Sequence, residues 1–332
     1  MEQRQLGRTG LAVSALGFGC GAVGGLFVRG DEAEQRHAFE TAVAAGITYF
    51  DTAAGYGDGK SETNLGRVLA ESRAPVVVGT KVRLDRSDLA NAGEAVRRSL
   101  GESLERLRRD RVDLFQLHSR ILAQADQAQG AVSLDEALGP VADAFAAVRD
   151  AGLAGHVGIT GLGDPPAVIQ VVESGRFETV QTYFNTLNPS AGYAGRAFPG
   201  AEDFAGLIDR AATARVGVIN IRPLAAGALA LASSRHANAG NPGGAIVRGA
   251  NYADDAKRAE RLTWLADELG LEGSVELALR FALSKAGVSM VIVGYSDLAQ
   301  LQDAIRFANR GPLADDAIEQ VLHLAGAGTH SE

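Results

Sequence analysis

"ALGFGCGAVGG", Ala15 to Gly25, is the stretch on which the reading of the chain turns. Gly19-Cys20-Gly21-Ala22-Val23-Gly24 matches G-x-G-x-x-G. An apolar run precedes it, a helix-like run follows, and "ITYFD" then ends in the acid Asp51. That is the outline of a Rossmann dinucleotide-binding unit. Two details oppose it. In such a unit the helix opens at the glycines, so that its first amides face a pyrophosphate; here Gly24 to Gly30 intervene before Asp31-Glu32 starts a helix. The acid is expected about 20 residues beyond the glycines, and Asp51 lies 27 beyond Gly24. Glycines after a first strand have another use: they let backbone approach a flat ligand closely.

Outward from this stretch, short Val/Ile/Phe-rich runs alternate with longer Ala/Leu/Glu/Arg segments. The pattern predicts strands at 15–19, 47–51, 76–81, 112–117, 155–160, 179–183, 216–221 and 290–293. Helices are predicted at 32–45, 61–72, 91–108, 134–151, 166–175, 202–215, 272–286 and 297–309. The strands are short and almost continuously apolar, as buried parallel strands are. Eight βα units predict an α/β fold, a (β/α)8 TIM barrel, with residues 1–332 as a single domain. Arg4 to Ser14 reads as a β-hairpin that could close the barrel bottom. Extra helices are expected at 254–269 and 313–324, after strands seven and eight, and the long Gly/Ala/Asn-rich segment 223–251 as a functional loop. Ser61-Glu62 reads as a helix start, the glycines of "AAG" and "DAG" as helix ends, and Asp164-Pro165-Pro166 as a helix start.

Composition narrows the function. A hydrophobic content of 46% supports a large core. Net charge −8 without a basic block argues against nucleic acid or an anionic membrane as partner. No apolar run approaches the ~18 residues of a membrane span, and the first twenty residues lack a signal-peptide pattern. The single Cys20 excludes an internal disulfide and points to a reducing, cytoplasmic setting. A metal-dependent barrel hydrolase would need several ligands at strand ends. Only His118 qualifies, since His156 begins its strand, so no metal is expected.

In a (β/α)8 barrel the chemistry sits at the C-terminal ends of strands. Strand two ends in Asp51, with Tyr56 five residues later; strand three ends in Lys81; strand four ends in His118. Each alone has a plain structural use: a capping acid, a turn aromatic, a solvated lysine, a core histidine. Together they make a unit. A free phenol has pKa ~10; a neighbouring ammonium stabilises phenolate and lowers that value. A carboxylate orients the ammonium, and an imidazole can hold a substrate oxygen. Such a set moves a proton to or from oxygen. It supplies no hydride, so a cofactor must.

"GITYFDTAAGYGDGKSETNLGRVL", "VVVGTKV" and "VDLFQLH", in that order, resemble the diagnostic segments of the aldo-keto reductases. The likeness continues through "GHVGIT", "VQTYFNTLNP", "VINIRPLAAGALA" and "VIVGYSDLAQLQDAI", nearly the whole chain. It implies a catalytic tetrad of Asp51, Tyr56, Lys81 and His118, with Tyr56 as general acid/base. It also implies a nicotinamide dinucleotide lying across the barrel mouth without a Rossmann fold. By the resemblance, Thr160 and Gln181 face the carboxamide, with Asn185 nearby. The family usually has Ser-Asn after strand five; here Thr160-Gly161 removes one amide contact. Ile221 replaces a stacking aromatic. Arg222 could reach the pyrophosphate, or be a surface arginine. Asp51, Gly21, Pro223, Leu224 and Gly227 join the cofactor set, as do Gly294, Tyr295, Ser296, Gln300 and Asp303 at the adenosine end. Residues 294–304 hold no Lys or Arg for a 2′-phosphate, and Asp297 would repel one, so NAD is expected. NADP remains possible if Asp297 is only a helix cap and Arg222 or Arg248 supplies the charge. The family's terminal Asn is Ala304.

Tyr56, His118, Phe27 and Arg120 are the expected substrate contacts, with Phe184 also at the mouth. "GITG" and "VIVGYS" look most like the aldose 1-dehydrogenase and L-galactose dehydrogenase branch, which oxidises a sugar lactol with NAD+. Reduction of non-sugar aldehydes or ketones is the alternative within the family; a cofactor-binding regulatory partner protein is the alternative of another class. The expected partner is a small carbonyl, alcohol or sugar, with the chain a monomer or weak homo-oligomer.

Overall fold

The computed structural model describes residues 1–124, 131–231, 234–242 and 251–327. The chain opens with β1 (Gln3–Gln5) and β2 (Ala12–Ser14), an antiparallel hairpin. Four barrel strands follow: β3 (Leu16–Gly19), β4 (Tyr49–Asp51), β5 (Val77–Val82) and β6 (Val112–Leu117). A small parallel pair comes next, β7 (Arg120–Leu122) with β8 (Ala131–Ser133). The barrel resumes with β9 (Ala154–Thr160), β10 (Thr179–Tyr183), β11 (Gly217–Ile221) and β12 (Val288–Gly294). All eight barrel strands run parallel in chain order, and β12 closes on β3.

The helices sit outside. The one-turn α1 (Leu26–Arg29) and α2 (Glu32–Ala44) lie between β3 and β4; α3 (Lys60–Ser72) and α4 (Ala92–Leu107) follow β4 and β5. The short α5 (Leu134–Glu136) and α6 (Ala142–Asp150) lie between β8 and β9; α7 (Pro165–Glu173) and α8 (Leu207–Thr213) follow β9 and β10. After β11 come α9 (Tyr252–Glu268) and α10 (Ser274–Ser284), and after β12 α11 (Leu298–Ala308) and α12 (Asp315–Gly326). Gly46 and Gly152, in left-handed backbone, end α2 and α6, and α7 begins after Asp164 with Pro165 and Pro166 in its first turn.

Alternation along the strands makes two cores. Side chains facing outward pack against the helices. Those facing inward (Tyr49, Leu114, Ile219, Met290 and Ile292) fill the barrel axis with Leu6 and Val13 of the hairpin. The hairpin thus plugs the barrel bottom, as its sequence suggested. Two arginines hold it there: Arg4 donates to Leu283 and Val288 carbonyls, and Arg8 to those of Gly175, Phe177 and Ala214. Several of these carbonyls end helices, where a cation is favoured.

Differences from expectation have local causes. The helix expected over 134–151 is interrupted by a wider turn at Ala137–Val141, because Pro140 donates no amide and Gly139 leaves helical geometry. The helix expected at 202–215 shrinks to Leu207–Thr213. Asn188 and Ser190 take the carbonyl of Glu202, and Ser190 Oγ accepts the amide of Phe204, so that backbone is committed elsewhere. The segment after β11 begins with a tight turn at Ala225–Ala230. Arg248 lies outside the described residues. Among the described residues no helix is long and apolar enough to cross a membrane.

Candidate active site

The strand ends deliver the expected groups to one place. The register pairs Asp51 with Gly79 and places Lys81 two residues beyond it on β5; the His118 amide continues the ladder by donating to Val82 O at 2.7 Å. Tyr56 rides on the turn after β4. Gly57, Asp58 and Gly59 all adopt positive φ, a left-handed run that glycine and aspartate tolerate. Ser61, expected to open α3, instead pins this turn from inside: its hydroxyl donates to Cys20 O at 2.8 Å and meets Thr52 Oγ1 at 2.7 Å. Gly59 stands at the helix start.

Lys81 is the hub. Its side chain is fully buried, and Nζ donates to Asp51 Oδ2 at 2.5 Å, Thr52 O at 2.8 Å and Tyr56 Oη at 3.3 Å. Burial pulls the ammonium down, but Asp51 and Tyr56 more than offset this and its pKa lies above the ordinary value. The Tyr56 phenol corrects an expectation. Burial raises its pKa, Lys81 lowers it, and the net is upward. The phenol therefore holds its proton at neutral pH, and Lys81 offsets part of the cost of phenolate rather than making the group acidic outright. The His118 ring meets that of Tyr56 edge-on at 5.7 Å. Burial, with Lys81 and Arg83 nearby, pushes this imidazole down to about 3, so it is neutral at physiological pH.

A cleft of about 550 Å3 opens over this set. Asp51, Tyr56, His118, Gly21, Thr160, Gln181 and Ile221 line the reacting end. Arg222, Pro223, Leu224 and Gly227 lead away from it, and Gly294, Tyr295, Ser296, Gln300, Asp303 and Ala304 line the other end. Gly21 sits against the Tyr56 ring, whereas Gly24 is needed for rim packing: a Cβ there would meet the Gly294–Tyr295 backbone at 2.5 Å.

Other expected contacts fall elsewhere. Phe27 is fully buried against Phe18, and Phe184 against Phe281; neither lines the cleft, because apolar rings after β3 and β10 turn into the outer core. Arg120 is on β7, outside the lining. Asn185 shapes its own loop, donating to Arg222 O and accepting the amides of Leu187 and Asn188. Gln181 spends its Nε2 on Asp51 Oδ1 at 2.8 Å. Ser296 Oγ donates to Gly24 O and Asp303 pairs with Arg306, so both are engaged within the rim. Asp297 accepts the Gln300 amide at 2.8 Å and so caps α11.

The structure adds residues that sequence reading missed. Tyr49 Oη donates to Asp51 Oδ1 at 3.1 Å; the two-residue spacing along one strand face was the available signal. Arg235 and His236 line the cleft from the long segment, where no periodicity pointed to them. Arg235 is held by the carbonyls of Ala226 and Gly240 and lies over the Tyr252 ring at 5.2 Å. Segment 234–242 is tied to the rim where β3 and β12 end: Gly240 N donates to Val23 O, and Asn238 Nδ2 to Ser296 O at 3.0 Å.

These features suit a long anionic dinucleotide. Thr160 Oγ1 is buried in the wall at the reacting end with no hydrogen-bond partner among the described residues. Arg222 and Arg235 put two guanidinium groups, which pair well with phosphate, into the lining of the same cleft.

The profile of the Aldo/keto reductase family matches residues 15–325. L-galactose dehydrogenase of Arabidopsis thaliana is 29% identical over 314 residues, spanning 92% of this chain and 87% of that protein. D-threo-aldose 1-dehydrogenase of Pseudomonas sp is 39% identical over 134 residues, 33% of this chain and 41% of that protein. A solved aldo-keto reductase from Bacillus halodurans, in its holo form, superposes with TM-score 0.70 at 25% identity, covering 100% of this chain and 99% of that one. The strand-end constellation and these likenesses lead to one conclusion: the chain belongs to the aldo/keto reductase family and is an oxidoreductase acting on carbonyl or CH–OH groups.

Proposed function

We propose that the protein oxidises the anomeric hydroxyl of a sugar lactol, or reduces the matching carbonyl, with Tyr56 as general acid/base and NAD as cofactor. The observation that carries the reading is Lys81 Nζ, bonded at once to Asp51 and to Tyr56 Oη. In reduction the protonated phenol donates to the carbonyl oxygen as the alcohol forms. In oxidation the phenolate takes the hydroxyl proton, and the ammonium 3.3 Å away lowers the cost of that anion. A neutral His118 keeps one donor and one acceptor nitrogen for the reacting oxygen. The nicotinamide, when bound, supplies or accepts the hydride. Thr160 and Gln181 would hold its carboxamide, Ile221 would back the ring, and Arg222 with Arg235 would meet the diphosphate.

NAD preference has support at the far end. Glu272 and Asp303 put carboxylates there, and both engage Arg306. Asp297 adds a third negative charge at the start of α11. A phosphate on the ribose would have to compete with these carboxylates for Arg306 and Arg310, which they already engage, whereas a hydroxyl can donate to a carboxylate. The two dehydrogenase relatives support the sugar class. The test is a panel of aldoses, alcohols and aldehydes, assayed with both cofactors through the absorbance of reduced nicotinamide. Turnover of aldoses with NAD+ is expected; turnover confined to simple aldehydes with NADPH would overturn both the substrate and the cofactor.

A further inference from the structure

We propose that Tyr49 is a positioning residue for this chemistry: its buried hydroxyl locks the Asp51 carboxylate in the rotamer that faces Lys81. The inference rests on the reading of Asp51, Lys81 and Tyr56 as the proton-transfer set. Tyr49 is fully buried on the barrel axis, among Leu114, Ile219 and Met290. A ring there needs no hydroxyl for packing; phenylalanine would fill the space without bringing a polar group into an apolar core. Yet the hydroxyl is present, and it donates to Asp51 Oδ1. The neighbouring strand makes room for it. At Gly79, directly across from Asp51, a Cβ would stand 2.1 Å from Tyr49 Oη. The strand thus carries glycine where the hydroxyl must pass.

The consequence is a carboxylate held from two directions. Oδ1 accepts from Tyr49 at 3.1 Å and Gln181 at 2.8 Å, while Oδ2 faces Lys81 at 2.5 Å. Rotation about the Asp51 side chain would break all three bonds together. Without the phenol, Oδ1 is held by Gln181 alone, a side chain that also lines the cleft. Lys81 then loses its fixed counter-charge, and Tyr56 its fixed donor. Tyr49 touches neither the cleft nor the reacting atoms, so its effect must run through Asp51.

That dependence sets the test, a cycle of Tyr49→Phe, Asp51→Asn and the double variant, with kcat, NADH dissociation constant by fluorescence, and thermal midpoint measured for each. Tyr49→Phe is expected to lower kcat roughly tenfold, the scale of one hydrogen bond to a charged group. The midpoint should fall by a few degrees at most, as the loss of one buried hydrogen bond implies, and NADH affinity should stay within about twofold. Added to Asp51→Asn, it should do no further harm, because its target is already gone. A parental kcat in Tyr49→Phe overturns the proposal. So does a second tenfold loss on the Asp51→Asn background, which would mark a general packing role. If Asp51→Asn itself keeps full turnover, the proton-transfer reading falls and this inference with it; if only Tyr49→Phe is silent, that reading stands and positioning alone is lost.

Discussion

At the reacting end of the cleft, Asp51, Lys81 and His118 come from the ends of β4, β5 and β6, and a parallel ladder sets their spacing. At the opposite end, Glu272, Gln300, Asp303 and Phe307 come from the approach to α10 and from α11. The first end is dry: the Lys81–Asp51 pair is almost wholly buried. The second is wet: Arg306 and its partners Glu272 and Asp303 are each more than 40% exposed at the side chain. Exposed pairs contribute about 0–1 kcal/mol, whereas removing one partner of a buried pair destabilises by roughly 3–5 kcal/mol. On the proposed reading the chemistry is therefore rigidly specified, while the end assigned to the adenosine half carries charges that can be exchanged at small cost.

The largest expected effect comes from attacking the dry end. Lys81→Met should lower kcat roughly a thousandfold, since the phenolate loses its counter-charge and Asp51 is left buried and unpaired. Steady-state kinetics with a lower thermal midpoint would bear this out; a loss smaller than about tenfold would erase the contrast. The wet end should respond by changing preference instead. Asp297→Arg should raise the NADPH-to-NADH ratio of kcat/KM about tenfold with little change in kcat, by pairing the 2′-phosphate. It also removes the α11 cap, so a stability loss of about 1 kcal/mol should accompany it. A smaller effect is expected at the tie across the cleft. Asn238→Ala loses the bond to Ser296 O and should weaken NADH binding about threefold, with kcat unharmed.

The smallest effect on turnover near neutrality concerns pH. The folded His118 value, about 3, lies below the ordinary 6.5. Between those values the unfolded chain binds a proton that the folded chain refuses, so stability falls as pH drops through that window. His118→Gln should flatten that part of the pH dependence of the thermal midpoint. The wild-type kcat profile should show no ionisation near 6.5 from this residue; one that vanished in His118→Gln would contradict the neutral imidazole.

The same division explains what the sequence disclosed. Strand ends carry a double signal, an apolar run and then a polar residue, so the order of residues suffices to place Asp51, Lys81 and His118. The eight strands were legible for the same reason. Tyr56 stands out by its place five residues beyond Asp51, and its role by the family resemblance. The far end lacks such punctuation: Arg235 sits in a stretch with no period, and Glu272 meets the cleft only because α10 and α11 pack side by side. Phe27 and Phe184 misled because an aromatic next to a strand end can point to the mouth or to the outer core, and the residue type is the same in both cases. The acidity of Tyr56 was misjudged because charge is visible in sequence and desolvation is not.

The central claim is that Tyr56 moves the proton and does nothing else that the enzyme cannot spare. Its most direct test is Tyr56→Phe, measured for turnover and for NADH binding by fluorescence titration. The account predicts turnover lost by about three orders of magnitude, on the scale of an essential general acid, with cofactor affinity kept. Substantial turnover in that variant would contradict it.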